Sequence, residues 1–313
     1  MKKEMKQILD LSPRLAEIGK IKIGGKSIKK IKSRSGNDWQ PPVKFDHIVV
    51  TKLTRDAHGN LEKDMDIMKA IGDNTREIPI ILLYDEISMN FRTSYAYYTS
   101  RSCVCRGDGK NANRMIKNDK NELIETEVTC PGTNCPEVQN KKCKPNGILS
   151  AILPMKKKVG GVYKFRTTSW NSVQNILSAL AYIAHQTGGK LAGIPLQLEM
   201  VTKNTEKHGN VETMNLVYNG VESDLQKAAL IETTRREKYK LDIKQYEKKA
   251  IESGAVDDND DPAEIEAEFY VEDKVNTNAS RAIEIDASAF VSSANDVKPK
   301  VKIGPEKKID DVL

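Results

Sequence analysis

Between residues 105 and 147 the chain runs through a polar, Gly-, Pro- and Asn-rich stretch that holds four of its five cysteines. Any fold must account for it. A compact domain does not tolerate so long an excursion without secondary structure unless something cross-links it. Cys103, Cys105, Cys130, Cys135 and Cys143 are spaced C-x-C, C-x4-C and C-x7-C. Closely spaced thiols on tight turns supply tetrahedral corners to zinc. Pro131-Gly132 and Pro136 are turn residues of the kind such a knuckle uses. Unliganded structural cysteines normally sit among apolar neighbours, which this stretch lacks. The expected ligands of a structural Zn2+ are Cys105, Cys130, Cys135 and Cys143, with Cys103 a core thiol at a strand end; the spacing alone leaves open which four of the five bind. The metal would contribute the closure energy that so polar a segment cannot obtain by apolar burial. With no Glu-His pair nearby, the site is expected to be closed and non-catalytic.

On either side of this stretch the apolar pattern predicts an α+β chain with a mainly β core, a zinc-stabilised loop insertion over 103–147, one packed amphipathic helix, a long basic C-terminal helix and a disordered acidic tail. Phe45–Leu53, Phe91–Val104, Ile148–Leu153 and Val162–Thr167 read as strands rich in β-branched and aromatic residues. The unbroken apolar run Ile78–Tyr84 is what a strand buried on both faces would show. Leu196–Val201 and Val211–Tyr218 flank a Gly-containing turn as a hairpin. Capped by Ser169 or Ser172, a helix places Val173, Ile176, Leu177, Leu180, Ile183 and Ala184 on one face and ends at Gly188-Gly189. The organisation read from this pattern is a basic N-terminal segment (1–42) with a short helix broken at Pro13 and a short strand and Gly turn at Ile21–Lys26, a core (43–220), a basic helix (221–253) and a tail (254–313). The tail has the composition of a disordered segment, with Phe269-Tyr270-Val271 and Phe290-Val291 as islands able to dock.

The formal charge is only +6, but it is segregated. The first 34 residues oppose many lysines and arginines with only Glu4, Asp10 and Glu17, whereas residues 252 to 273 carry acidic charges alone. Such polarity points to a nucleic-acid partner or to two solvated ends. No run approaches the roughly 18 apolar residues of a membrane helix, and no export signal precedes Pro13, so a cytoplasmic protein without a membrane partner is expected. GxSxG, HExxH and P-loop patterns are absent from the sequence. Cys105–Arg114 (CRGDGKNANR) has the glycines of a phosphate loop without its Gly-Lys-Ser/Thr context. His47, His58, His185 and His208 are scattered. No catalytic residue is identified, and the chain is not expected to be an enzyme.

In order along the chain, GKIKIGG (Gly19–Gly25), IPIILLYDE (Ile78–Glu86), CRGDGKNANR, the later cysteines, Leu153-Pro154, GGVYKFRTTSWNSVQNI (Gly160–Ile176) and GGKLAGIPLQL (Gly188–Leu198) resemble a phage family that includes recombination directionality factors of large serine integrases. The resemblance covers roughly residues 15 to 220. It implies a zinc-binding accessory protein without catalytic activity, at work in the cytoplasm of an infected bacterial host. Characterised members bind the integrase and reposition its coiled-coil arms so that excision is favoured. Other relatives look like early phage proteins of replication or recombination. Cys105, Cys130, Cys135 and Cys143 are the residues carried over, as metal ligands. Two readings follow. In the first, the chain acts by contact with a serine integrase or another phage recombination or replication protein, with the basic helix as a contact element. In the second it is a single-stranded DNA-binding or mediator protein, in which Arg92, Tyr95, Tyr97, Arg101, Arg106, Lys110 and Arg114 would stack bases and neutralise phosphates.

Overall fold

Alternating side chains and well-placed turn residues decide most of the architecture. The computed structural model describes residues 15–26, 31–32, 38–39, 42–57, 59–156, 158–206, 209–252 and 262–270. Along the chain lie β1 (Ala16–Lys26), β2 (Ile31–Lys32), β3 (Asp38–Trp39), β4 (Pro42–Arg55), β5 (Leu61–Lys63), α1 (Met65–Ile71), β6 (Glu77–Ile81), α2 (Ile87–Asn90) and β7 (Phe91–Tyr98). Then come β8 (Cys103–Gly107), β9 (Asn111–Lys117), β10 (Leu123–Thr129), α3 (Pro136–Gln139), β11 (Lys144–Ala151), β12 (Gly161–Thr167) and α4 (Trp170–Gln186). The hairpin β13 (Pro195–Thr205) and β14 (Gly209–Val217) precedes α5 (Glu222–Tyr239), α6 (Ile243–Glu252) and α7 (Pro262–Phe269).

Nine strands form the main sheet in the order β10-β9-β8-β7-β11-β12-β1-β4-β5, and β14-β13-β6 form a second. Within the main sheet β1 and β12 run parallel, while the other pairs are antiparallel. The main core lies between the two sheets and α4. Phe91, Leu149, Phe165, Ile21 and Val50 point into it from the main sheet, Ile78, Ile80, Leu198, Met214 and Leu216 from the small sheet, and Ile176, Leu180 and Ile183 from the helix. Each such side chain contributes about 1.5–3 kcal/mol on leaving water. Ser169 Oγ accepts the Ser172 N–H at the start of α4. At its end Gly188 takes a left-handed φ of 63°, and the Gly189 N–H closes on the Ala184 carbonyl at 2.7 Å, the cap geometry that favours glycine.

Several expectations change. The stretch 105–147 is not a loop. Ala112, Arg114 and Ile116 alternate along β9 opposite Val128, Thr126 and Ile124 of β10, a period that builds a hairpin. Its turns are set by side chains. Asp108 accepts the Lys110 and Asn111 N–H groups beside Gly109 (φ 99°), and Asn118 accepts those of Lys120 and Glu122 beside Asn121 (φ 64°). CRGDGKNANR is thus a hairpin turn. Ile78–Tyr84 is not buried on both faces either: in β6, Ile78 and Ile80 are buried while Glu77 and Pro79 are exposed. This strand is an edge, the position that tolerates a proline lacking its N–H. Residues 16–26, assigned by composition to a segment ahead of the core, form β1 inside the main sheet, between β12 and β4. Part of the tail is α7, with Ile265 buried. The helix expected around Pro13, the rest of the tail, His58 and His208 lie outside the described residues.

The helix expected over 221–253 is two helices. Lys240 adopts φ 52° and closes α5 on the Arg236 and Glu237 carbonyls, and Asp242 Oδ1 accepts the Gln245 N–H as α6 begins. Glu232 and Arg236, which interrupt the apolar stripe, are the helix's anchor. Arg236 bonds Asp85 Oδ2 at 2.6 Å and Glu232 Oε1 at 3.0 Å, and Asp85 Oδ1 also accepts the Leu191 and Ala192 N–H groups. Burial pushes both carboxyls up, but Arg236 and the backbone donors on Asp85, and Arg235 and Arg236 on Glu232, outweigh it and hold them below their ordinary 3.8 and 4.5. Carboxylates depressed in this way contribute stability above the unfolded values and lose it as the pH falls through the folded ones. Arg236→Ala is expected to lower the unfolding free energy by about 3–5 kcal/mol at neutral pH, because it leaves buried charge uncompensated. In urea unfolding the gap from wild type should narrow below pH 4.5, as the stranded carboxyls take up protons; a pH-independent gap would contradict the assignment.

Candidate functional site

The chain leaves the core of the main sheet along β7, adds β8, β9 and β10 outward on one side, then re-enters on the other side of β7 as β11. The return segment, residues 130–143, must therefore cross the face of the strands just laid down. It does so as a 3-10 turn (Gly132–Asn134) followed by α3. Its backbone is tied at intervals: the Cys130 N–H donates to the Lys110 carbonyl at 2.7 Å, and the Cys143 N–H to the Glu137 carbonyl at 2.8 Å. Arg114 of β9 pairs with Glu137 at 3.2 Å. Gly132, at φ 59°, lies over the Tyr95 hydroxyl and Gly109.

Cys105 is on the crossed face, in register with Tyr97 of β7 and Arg114 of β9. Cys130, Cys135 and Cys143 come down on it from the crossover, and the four line one cavity of about 40 Å³ together with Tyr95, Tyr97 and Arg114. Cys130 and Cys143 are buried, Cys105 and Cys135 half-buried. Burial, then the neighbouring thiols, push Cys143 up to about 12. Cys105 is raised too, by burial first, with Arg114 pulling the other way. Among the described residues no group of three or more His, Cys, Asp or Glu side chains is arranged so as to hold a metal ion. The thiols share a cavity without forming a coordination shell. Four sulfurs around one cavity are the donor chemistry that zinc takes, and Cys105 and Cys143 are each raised by burial and then by neighbouring cysteines.

Cys103 is elsewhere, for a reason invisible in the spacing. Residues i and i+2 of a regular strand share a face, so C-x-C would put both thiols together. A register shift lets Tyr97 pair with Cys105 while Tyr98 pairs with Cys103. The irregularity turns Cys103 to the opposite face, among Ala96, Tyr98, Ile265 and Tyr270.

The seven residues expected to meet nucleic acid are divided between the faces. Tyr95, Tyr97 and Arg114 line the thiol cavity, and Tyr95 packs edge-on against Trp170 with ring centroids 5.6 Å apart. Arg92 and Arg106 pair with Ile148 and Ala96 and so take the other face; there Arg106 donates to the Tyr98 hydroxyl at 2.6 Å. Arg101 and Lys110 are exposed in the turns. No single stripe unites them. His47 stacks on Phe45 and bonds Asp46, and His185 is exposed near the end of α4. Missed in the sequence were Glu137, which pairs with Arg114 at the cavity wall, Trp170, which packs on Tyr95, and the return path itself, which only the strand order reveals.

Residues 18–224 match the sequence profile of the family described as Gp3-like: Recombination directionality factor-like. No curated protein and no solved structure gives a match. The matched span takes in the whole crossover and all five cysteines. Beneath the crossover Gly107 leaves no room for a side chain, since a Cβ there would stand 2.7 Å from the Ala112 Cβ and 2.9 Å from Cys130 Sγ. Gly107→Ala is expected to cost about 1–3 kcal/mol by overpacking and to speed amide exchange at Cys130. An unchanged melting temperature would show that the strand does not press on the thiol.

Proposed function

The chain belongs to the recombination directionality factor-like family, and from that premise we propose that it is a non-catalytic accessory of phage recombination that works by contact with a large serine integrase. The observation that carries this reading is the family match over residues 18–224. The crossover inside that span adds support: four thiols meet where a connection passes over three strands. In this reading Cys105, Cys130, Cys135 and Cys143 hold a structural zinc, whose chemistry is to cross-link the crossover to the strands beneath it. The chain's own residues do the rest. Glu137 and Arg114 fix the short helix over β9, and the backbone bonds of Cys130 and Cys143 seat the two ends of the segment. The product is a rigid surface at the outer edge of the sheet. Such a protein sets direction by binding one arrangement of the integrase–DNA complex more tightly than another, because equal affinity for both would shift nothing. Reversal from about 1:99 to 99:1 needs about 10⁴-fold preference. Base stacking on Tyr95 and Tyr97 is disfavoured by their position as walls of the thiol cavity.

The test is a purified recombination reaction with a large serine integrase and its attachment sites. Added chain is expected to activate excision, suppress integration and co-elute with the integrase. The double variant Cys130→Ser, Cys135→Ser should do neither. Unchanged direction with no co-elution would refute the reading, and tight, salt-sensitive binding to oligo-dT in its place would favour a single-strand-binding role.

A further inference from the structure

The face of the main sheet turned away from α4 is basic, and α7 lies on it. Glu264 bonds Lys20 Nζ at 2.7 Å and Arg55 Nη2 at 3.0 Å, and Glu268 bonds Lys22 Nζ at 2.8 Å. Between these charges the helix drives Ile265, only 5% exposed, against Ala96 and Tyr98, with Phe269 beside it. The next residue closes the contact: the Tyr270 hydroxyl donates to the Ala96 carbonyl at 2.7 Å, its ring meets Tyr98, and Lys144 reaches both the Tyr270 ring and the Phe269 carbonyl. Carboxylates at i and i+4 and apolar anchors at i and i+4 are the pattern by which an amphipathic helix reads a groove. Beside the docked helix, with Ile265 and Phe269 in its lining, lies a cavity of about 560 Å³ that extends from β1 and β4 past Thr167 to the cysteine crossover and Trp170 of α4, with Lys44, Lys164 and Arg166 in its walls beside Lys20, Lys22 and Lys144.

An isolated helix as short as α7 is marginal in water, so its order derives from this docking. Residues 252 to 273 are wholly acidic in charge, which matches the face they approach. We propose that this face is a receptor for acidic amphipathic helices, that α7 is its resident pseudo-ligand, and that an acidic helix of a partner protein takes the face by displacing α7. A phosphate backbone would satisfy the lysines, but it has nothing to fill the Ala96–Tyr98–Cys103 depression that receives Ile265. Protein is therefore the occupant the geometry favours. A tethered competitor lowers the apparent affinity for any outside helix by the fraction of time the face is open, so α7 sets a threshold that only a well-matched partner passes. The inference rests on the protein-contact reading only in taking the occupant to be protein. Because its probe is the chain's own helix, its failure would leave the integrase reading standing.

The experiment uses the full chain, two full-length variants, and a fluorescein-labelled peptide of residues 259–272. Ile265→Asp with Phe269→Asp removes the anchors of α7, and Glu264→Lys with Glu268→Lys reverses its charges. Both should keep the wild-type melting profile of the core and bind the labelled peptide at least about tenfold more tightly than wild type, as expected when a closed fraction of nine-tenths or more is released. A scrambled peptide should not bind. Equal affinity for wild type and both variants, or no peptide binding by any of them, would overturn the proposal. So would a gain seen with labelled oligo-dT but not with the peptide, which would give the face to nucleic acid.

Discussion

Three strands extend the main sheet outward from β7, yet the chain must re-enter that sheet beyond β7, so one connection has to lie across the face of the extension. The rest of the candidate site depends on this crossing. Ordering its residues costs about 1–2 kcal/mol each in backbone entropy, and among residues 130–143 only Cys130, Gly132 and Cys143 are buried. Apolar burial of that extent cannot offset the cost. A few backbone bonds and the Arg114–Glu137 pair contribute, but each is worth roughly 1 kcal/mol or less net. In the proposed reading a structural zinc bound by thiolates would add about 10–16 kcal/mol in apparent terms, a contribution of the same order as that cost.

The sheet that carries this crossing has two chemically different faces. One packs on α4 and the β6–β13–β14 sheet through Phe91, Leu149, Phe165 and their partners, and it continues outward into the thiol cavity. The other is studded with lysines and arginines and carries the acidic α7. Cys103 sits on the second face and its neighbour Cys105 on the first, separated by a single register shift. On the far side of the core, Asp85, Glu232 and Arg236 lock α5 to the loop that follows β6. The basic character of that helix is thus partly spent on internal anchoring rather than presented to a partner.

Much of this was legible in the residues. The capped helix over 170–186, the hairpin of β13 and β14, and the strands around Ile148 and Val162 follow from period, cap and turn chemistry alone. Cys105, Cys130, Cys135 and Cys143, singled out together as ligands, lie around one cavity; this gives their placement and not what they bind. Other features depended on tertiary context. Composition masked the alternation within 111–129, because most outward residues there are polar. A register shift, which leaves no trace in C-x-C spacing, moved Cys103. The α5–α6 break rests on a lysine in a left-handed conformation, a choice sequence rarely announces. The docking of Ile265 and Phe269 was foreshadowed only by an apolar island in an acidic tail.

Metal content and amide exchange, read together on the purified chain, test the central claim most directly. The account predicts about one zinc per chain, retained in Cys103→Ser and lost in Cys143→Ser, with chelation accelerating exchange across residues 130–143 while β1, β11 and β12 stay protected. A metal-free protein whose residues 130–143 exchange as slowly as the core strands would contradict it.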